Sequence, residues 1–218
     1  MELTRRVGMP KSTVFRLLAS LIDEQIIERH RDGYQLGRRM HSLGQSALGG
    51  RPARLLDASL PLMTELQQST GLIVNLAWLQ GFQVVYLATL RTRESPITPA
   101  SNGAQLPANC SALGKALLAF VPREKWSQFQ PEVLPALTRR SVTSAEELDA
   151  TLEAVRRDGY AVECQESSPR LACLAVPVLR QGEAVAALSV AGPPSRIDVA
   201  SQRGMLKRAS LHIARGLE

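Results

Sequence analysis

The sequence predicts an α+β protein in two parts, a short winged helix-turn-helix and a larger domain around a mostly antiparallel sheet. Three observations carry that expectation. The first 36 residues read as two helices about a Gly-x-Pro break, followed at once by a hairpin. From Leu72 onward, short apolar runs separated by Gly turns interleave with helical patterns. Positive charge is concentrated at one end: residues 1–54 hold 10 Lys/Arg against 5 Asp/Glu, and the remaining residues 16 against 15.

The N-terminal pair comes first. Glu2, Leu3, Arg5 and Arg6 favour helix, and Gly8-Met9-Pro10 breaks it. Lys11 or Ser12 then opens a second helix in which Val14, Leu17, Leu18 and Leu21 share an apolar face. Thr13, Arg16 and Ser20 lie opposite, with Lys11 and Ser12 at the leading end. Small hydroxyl residues, one Arg and an amide-rich helix start suit the major groove of double-stranded DNA, where phosphates and base edges are both in reach. An ordinary helical hairpin would look partly alike. The next dozen residues argue against it: Ile26 to Arg29 and Tyr34 to Leu36 flank an Asp32-Gly33 turn, forming a wing that presents Arg31 to a phosphate. The charge bias supports the same reading, because phosphate neutralisation needs cations on that part alone.

A linker helix is expected around Met40 to Leu48, interrupted by Gly49-Gly50-Arg51-Pro52, and the domain boundary is placed there, dividing 1–50 from 51–218. Leu55, Leu56, Leu60, Met63 and Leu66 then recur at helical spacing from about Ala53 to Thr70. Two helices about such a joint make a lever between the parts, with apolar faces that suit a second copy of the chain. Strands are expected at Leu72 to Leu79, Phe82 to Thr89, Ile97 to Ala100, Tyr160 to Gln165, Leu174 to Leu179 and Ala184 to Ala191. Helices are expected at Ala112 to Phe120, Glu124 to Phe129, Ser144 to Asp158 and Asp198 to Leu217, the third opened by a Ser144/Glu147 capping box and closed by Gly159.

Composition bounds the function. With 44% apolar and 21% charged residues, the chain is globular. No apolar run approaches the ~20 residues that cross a bilayer. No basic-then-apolar leader follows Met1, so a cytoplasmic protein is expected, with no membrane partner. Cys110, Cys164 and Cys173 are odd in number and lack a CxxC pair, which fits reduced thiols.

The stretch LTRRVGMPKSTVFRLLASL with the RDGYQLG hairpin resembles the DNA-binding half of the IclR family of bacterial transcription regulators. LPANCSALGKALLAF, GYAVECQESSPRLACLAVPV and ALSVAGPPSRI resemble that family's effector-binding half, in matching order across nearly the whole chain. The resemblance implies a GAF-like fold for the second part. Family members carry a further helix ahead of this point, whereas this chain starts inside the motif.

A ligand pocket is expected where the Asn109–Gly114 helix start, the Glu163–Cys173 loop and the strand end at Ser189 to Ala191 converge. The Ser111 hydroxyl and the Ala112 and Leu113 amides, at a helix N-terminus, suit a carboxylate. Small neighbours leave space, and Leu113 and Leu171 supply apolar walls. The resemblance adds Glu163, Cys173 and Ser189 as effector contacts, and puts Ala191 where members can carry a second strand hydroxyl. Each position also has a plainer reading, as a small core thiol, a strand serine or a solvated edge carboxylate.

Other chemistry finds little support. Glu163, Lys115 and Cys173 (or Cys110) are the residue types of a Cys-Lys-Glu amide hydrolase, but no motif flanks them. The three histidines, His30, His41 and His212, lie outside the pocket stretches, which disfavours both a Cys-His pair and a zinc site. No Gly-rich phosphate loop is present. The expectation is therefore a non-enzymatic, cofactor-free regulator. It binds an operator and an organic-acid effector and works as a homodimer or homotetramer. The alternative is an effector-binding and dimerisation protein that does not bind DNA.

Overall fold

The computed structural model describes residues 2–30, 33–40, 50–92, 95 and 100–217. The chain divides into two compact units, 1–53 and 54–218.

In the first unit, α1 (Glu2–Val7) ends at Gly8, whose φ of +66° is a left-handed conformation that suits glycine. Helix α2 (Lys11–Asp23) follows Pro10, and β1 (Ile27–His30) pairs antiparallel with β2 (Gly33–Leu36). The hairpin ladder runs one step past β2 to Gly37, whose amide donates to the carbonyl of Ile26, the residue before β1, at 2.8 Å. A Cβ at residue 37 would sit 2.2 Å from the Gln25 carbonyl oxygen, so no larger residue fits. The apolar face of α2 departs from the expectation. Val14 is buried, but Leu17 is 49% and Leu21 36% exposed. Burial is instead centred on Val14, with Leu18 and Ile22 half-buried; they and Phe15 line an open groove of about 560 Å³ between the helix and the hairpin. Leu17 lies three residues beyond Val14, and three residues are about 300° of helix turn, enough to carry it toward the polar side. Arg31 and the Met40–Leu48 helix, apart from its first residue, fall outside the described residues.

In the second unit the sheet has strand order β5-β4-β3-β8-β7-β6, every pairing antiparallel. The strands are β3 (Ile73–Gln80), β4 (Gln83–Leu90), β5 (Gln105–Pro107), β6 (Ala161–Cys164), β7 (Ala172–Arg180) and β8 (Glu183–Gly192). One face is covered by α4 (Ala112–Phe120) and α5 (Ala145–Asp158), the other by α3 (Gly50–Thr70) and α6 (Val199–Arg215). Central strands buried on both faces read as continuous apolar runs, which is why β3 and β7 lack alternation.

Several boundaries differ from the sequence expectation, each for a local reason. Helix α3 starts at Gly50 rather than Ala53, since Pro52 falls in the first turn, where a missing N–H costs no intrahelical bond. The expected 124–129 helix is two short turns, Arg123–Lys125 and Ser127–Phe129, separated by Trp126 at φ −129°. That Trp is fully buried, 5.9 Å from the Phe82 ring, with its indole N–H donating to the Val121 carbonyl. Strand β5 was not expected, being three residues long and ending on Pro107 at the sheet edge. Residues 97–99 of the expected Ile97–Ala100 strand lie outside the described residues, and Ala100 is in no strand.

Candidate functional site

The first unit presents α2. Its N-cap is Pro10, and no side chain caps the helix, so the first-turn amides have no acceptor within it. Ser12, Arg16 and Ser20 are exposed and Thr13 is half-buried, all within one arc of the helix. Ser20 Oγ donates back to the Arg16 carbonyl at 3.2 Å. Lys11 belongs elsewhere: its Nζ stands over the Phe15 ring at 5.8 Å, on the groove side of the helix. The structure thus groups Ser12, Thr13, Arg16 and Ser20 and leaves Lys11 at their margin.

The second unit builds its site on the sheet face under α4. Register places Glu163 opposite Cys173, Cys173 opposite Ala191, and Ala191 opposite Ile73, so four strands contribute one row. The next row on the same face contains Ala175, Ser189 and Asn75. Ala112 and Leu113 pack over this face in one apolar cluster with Ile73, Cys173, Ala175 and Ala191. Seven of the eight expected effector residues therefore converge here. The eighth, Ser111, is already engaged: it is the N-cap of α4, accepting from the Gly114 amide at 3.0 Å. Donors toward a ligand are then the Ala112 and Leu113 amides, which lack intrahelical acceptors. Gly114 holds this start against the preceding turn, because a Cβ there would lie 2.1 Å from the Ala108 carbonyl oxygen.

Glu163 is 1% exposed and anchors the loop that succeeds it. Its Oε2 accepts from the amides of Glu166 (2.9 Å) and Ser167 (3.3 Å), and its Oε1 from the Ser167 hydroxyl (2.7 Å). Burial pushes its carboxyl above the usual range, against the pull of those donors. Burial likewise pushes the Cys173 thiol up, reinforced by Glu163 and opposed by a hydrogen bond from Ser189. Burial pushes the Tyr86 phenol up as well, reinforced by Cys173 and Glu163. Leu171, 7% exposed, closes the loop through its carbonyl, which accepts from the Gln165 amide at 2.7 Å.

Sequence reasoning missed the strongest interaction here. Lys115, on α4 and 2% exposed, donates to both carboxylate oxygens of Glu166 at 2.6 Å. Ser141 Oγ donates to the Glu166 carbonyl, and Asn109 Nδ2 donates to the carbonyls of Pro135 and Val142, so the 130–144 connector and the Glu166 loop are both tied to the start of α4. Lys115 thus pairs with Glu166 and not with Glu163. Cys110 donates to the Pro135 carbonyl at 3.2 Å, and burial pushes its thiol up, which keeps it protonated. A protonated, capped thiol is the opposite of an activated nucleophile. Among the described residues no group of three or more His, Cys, Asp or Glu could hold a metal ion.

The chain matches the family described as bacterial transcriptional regulator IclR C-terminal over residues 51–215, and the IclR helix-turn-helix domain over residues 1–31. It belongs to the IclR family. Among its relatives, the transcriptional regulator KdgR of Escherichia coli is 32% identical over 199 residues, covering 89% of this chain and 75% of that protein. XynR of the same organism is 28% identical over 223 residues, covering 99% and 88%. The crystal structure of the Thermotoga maritima IclR superposes with a TM-score of 0.84 at 25% identity, covering 99% of this chain and 89% of that one. An IclR homolog from Microbacterium hydrocarbonoxydans, solved in complex with 4-hydroxybenzoate, gives 0.85 at 29% identity, covering 98% and 88%. These IclR-family relatives are transcriptional regulators, and the α+β architecture with its antiparallel sheet is the one they share. Among the described residues no helix is long and apolar enough to cross a membrane.

Proposed function

We propose that this regulator binds operator DNA through the Ser12–Thr13–Arg16–Ser20 face of α2, with Lys11 on phosphate, and senses a small organic acid in the second unit. The single observation that carries the sensing half is the start of α4: two amides without intrahelical acceptors, set over a row of small and polar side chains. Amides at a helix N-terminus favour an anion. The relative crystallised with 4-hydroxybenzoate is a member of this family holding a carboxylate. In this reading Ala112 and Leu113 receive the carboxylate, Leu113 and Leu171 wall the ligand, and Cys173, Ser189 and Ala191 form its floor. Glu163 positions the Glu166–Leu171 loop. Two copies would present two readers to a partly palindromic site, and the site's groups serve binding rather than catalysis.

Two substitutions test the two halves. Arg16→Ala should weaken operator binding by about 1–3 kcal/mol at ~150 mM salt, where nonspecific contacts are already weak. Leu113→Trp should fill the pocket and abolish the response to organic acids while leaving the melting temperature near that of the parent. Unchanged operator affinity in the first variant removes Arg16 from the interface. A normal response in the second moves the pocket elsewhere. If the unsubstituted chain shows no specific DNA binding at all, the reading as an effector-binding and dimerisation protein takes its place.

A further inference from the structure

The sheet face under α4 carries polar groups beyond the expected effector contacts. Asn75, in the middle of β3 and 2% exposed, donates from Nδ2 to Ser189 Oγ at 3.2 Å. That direction of donation leaves the Asn75 Oδ1 as an acceptor, and nothing among the described residues donates to it. Thr89, the register partner of Asn75 on β4, has a buried hydroxyl that is equally without a partner among the described residues. Directly opposed residues of antiparallel strands point the same way, so Thr89, Asn75 and Ser189 lie side by side on the face turned to α4. Proteins keep few buried polar atoms unpaired, and two adjacent ones in a ligand-facing row call for a function.

We propose that Asn75 and Thr89 are the specificity end of the effector site and receive a neutral hydroxyl of the ligand, so that the effector is a hydroxylated carboxylic acid. The inference rests on the proposed function, in which the carboxylate sits at the start of α4. An ammonium group could also donate to Oδ1, but it would need an uncommitted carboxylate close by, since an unpaired buried charge is far costlier than a buried hydroxyl. The two buried carboxylates nearby are both committed: Glu163 to its loop and Glu166 to Lys115. A plain acid would leave both acceptors buried and unpaired, and a site built around such groups rejects the ligand that lacks the hydroxyl.

The test is calorimetric titration of the full chain with matched acids, 4-hydroxybenzoate against benzoate and lactate against propionate. In at least one pair the hydroxylated member should bind about tenfold tighter or more. Asn75→Leu, similar in volume, should bring that ratio to within about twofold, and the near-isosteric Thr89→Val should lower it even if Asn75→Leu folds poorly. Equal affinities in the parent, or a ratio unchanged in both variants, overturns the proposal. If the plain acids bind as tightly and Leu113→Trp abolishes them, the carboxylate reading stands and only the hydroxyl inference fails. If no acid of either pair binds, both fall.

Discussion

Glu163 is a carboxylate asked to do a backbone's work. Its oxygens hold two amides and a hydroxyl of the loop leading to Leu171, yet it lies almost wholly out of water. The two effects oppose each other, and burial wins, holding the carboxyl above its ordinary range. This direction sets the sign of the pH effect. Between the ordinary carboxylate value, about 4.3, and the raised one, the folded chain keeps a proton that the unfolded chain has lost. Stability therefore falls as pH rises through that window. Glu163→Gln removes the titration and keeps one acceptor. Melting temperatures at pH 4 and pH 7 should show the variant gaining on the parent toward pH 7, whatever constant offset the altered hydrogen bonds impose. A gap independent of pH would mean that the carboxyl carries no burial penalty. The types of such residues were legible in the sequence. Their partners were not: what Glu163 touches depends on the turn at 165–171, where Gln165 takes a φ of +63° that residue preferences do not foretell.

At the scale of elements, α4 was legible from its Ala- and Leu-rich run and its Ser111 start, and α5 from its capping box; each begins and ends where expected. Local signals sufficed because caps are local. The strands were found less sharply: β7 begins at Ala172 rather than Leu174, because its first residues are held on both sides, by β6 and by Gly192 and Ala191 of the more distant β8, pairings that local residue pattern does not encode. The same limit hid the ion pair that pins α4, whose partners are 51 residues apart. Its energetics are asymmetric. Lys115→Met would leave Glu166 buried without its cation, a loss of about 3–5 kcal/mol. Lys115→Met combined with Glu166→Leu removes both charges and should recover most of that loss, because a buried pair repays little beyond its own desolvation. Denaturant unfolding of the two variants measures both terms. A double variant as unstable as the single one would assign the damage to lost packing around the Lys stem instead.

For the whole molecule, the positive excess lies almost entirely in residues 1–54, while the buried polar rows lie in 54–218. One unit is suited to phosphate and the other to a small ligand, and the helix Gly50–Thr70 is the covalent link between them. A regulator needs the two occupancies to be coupled, and coupling is a free energy shared by both sites. If an acid changes operator affinity by some factor, operator DNA must change the affinity for that acid by the same factor, typically about 5–150-fold for 1–3 kcal/mol of coupling. Titrating the tightest-binding acid of the matched panel into the free chain and into its operator complex gives one side of that equality. Titrating the operator with and without saturating acid gives the other. The two factors should agree in size and direction, and Leu113→Trp should bring both to one. A shift in operator affinity with no matching shift in acid affinity would place the acid's effect outside the site under α4, on the DNA-binding unit itself or on a site shared between copies of the chain.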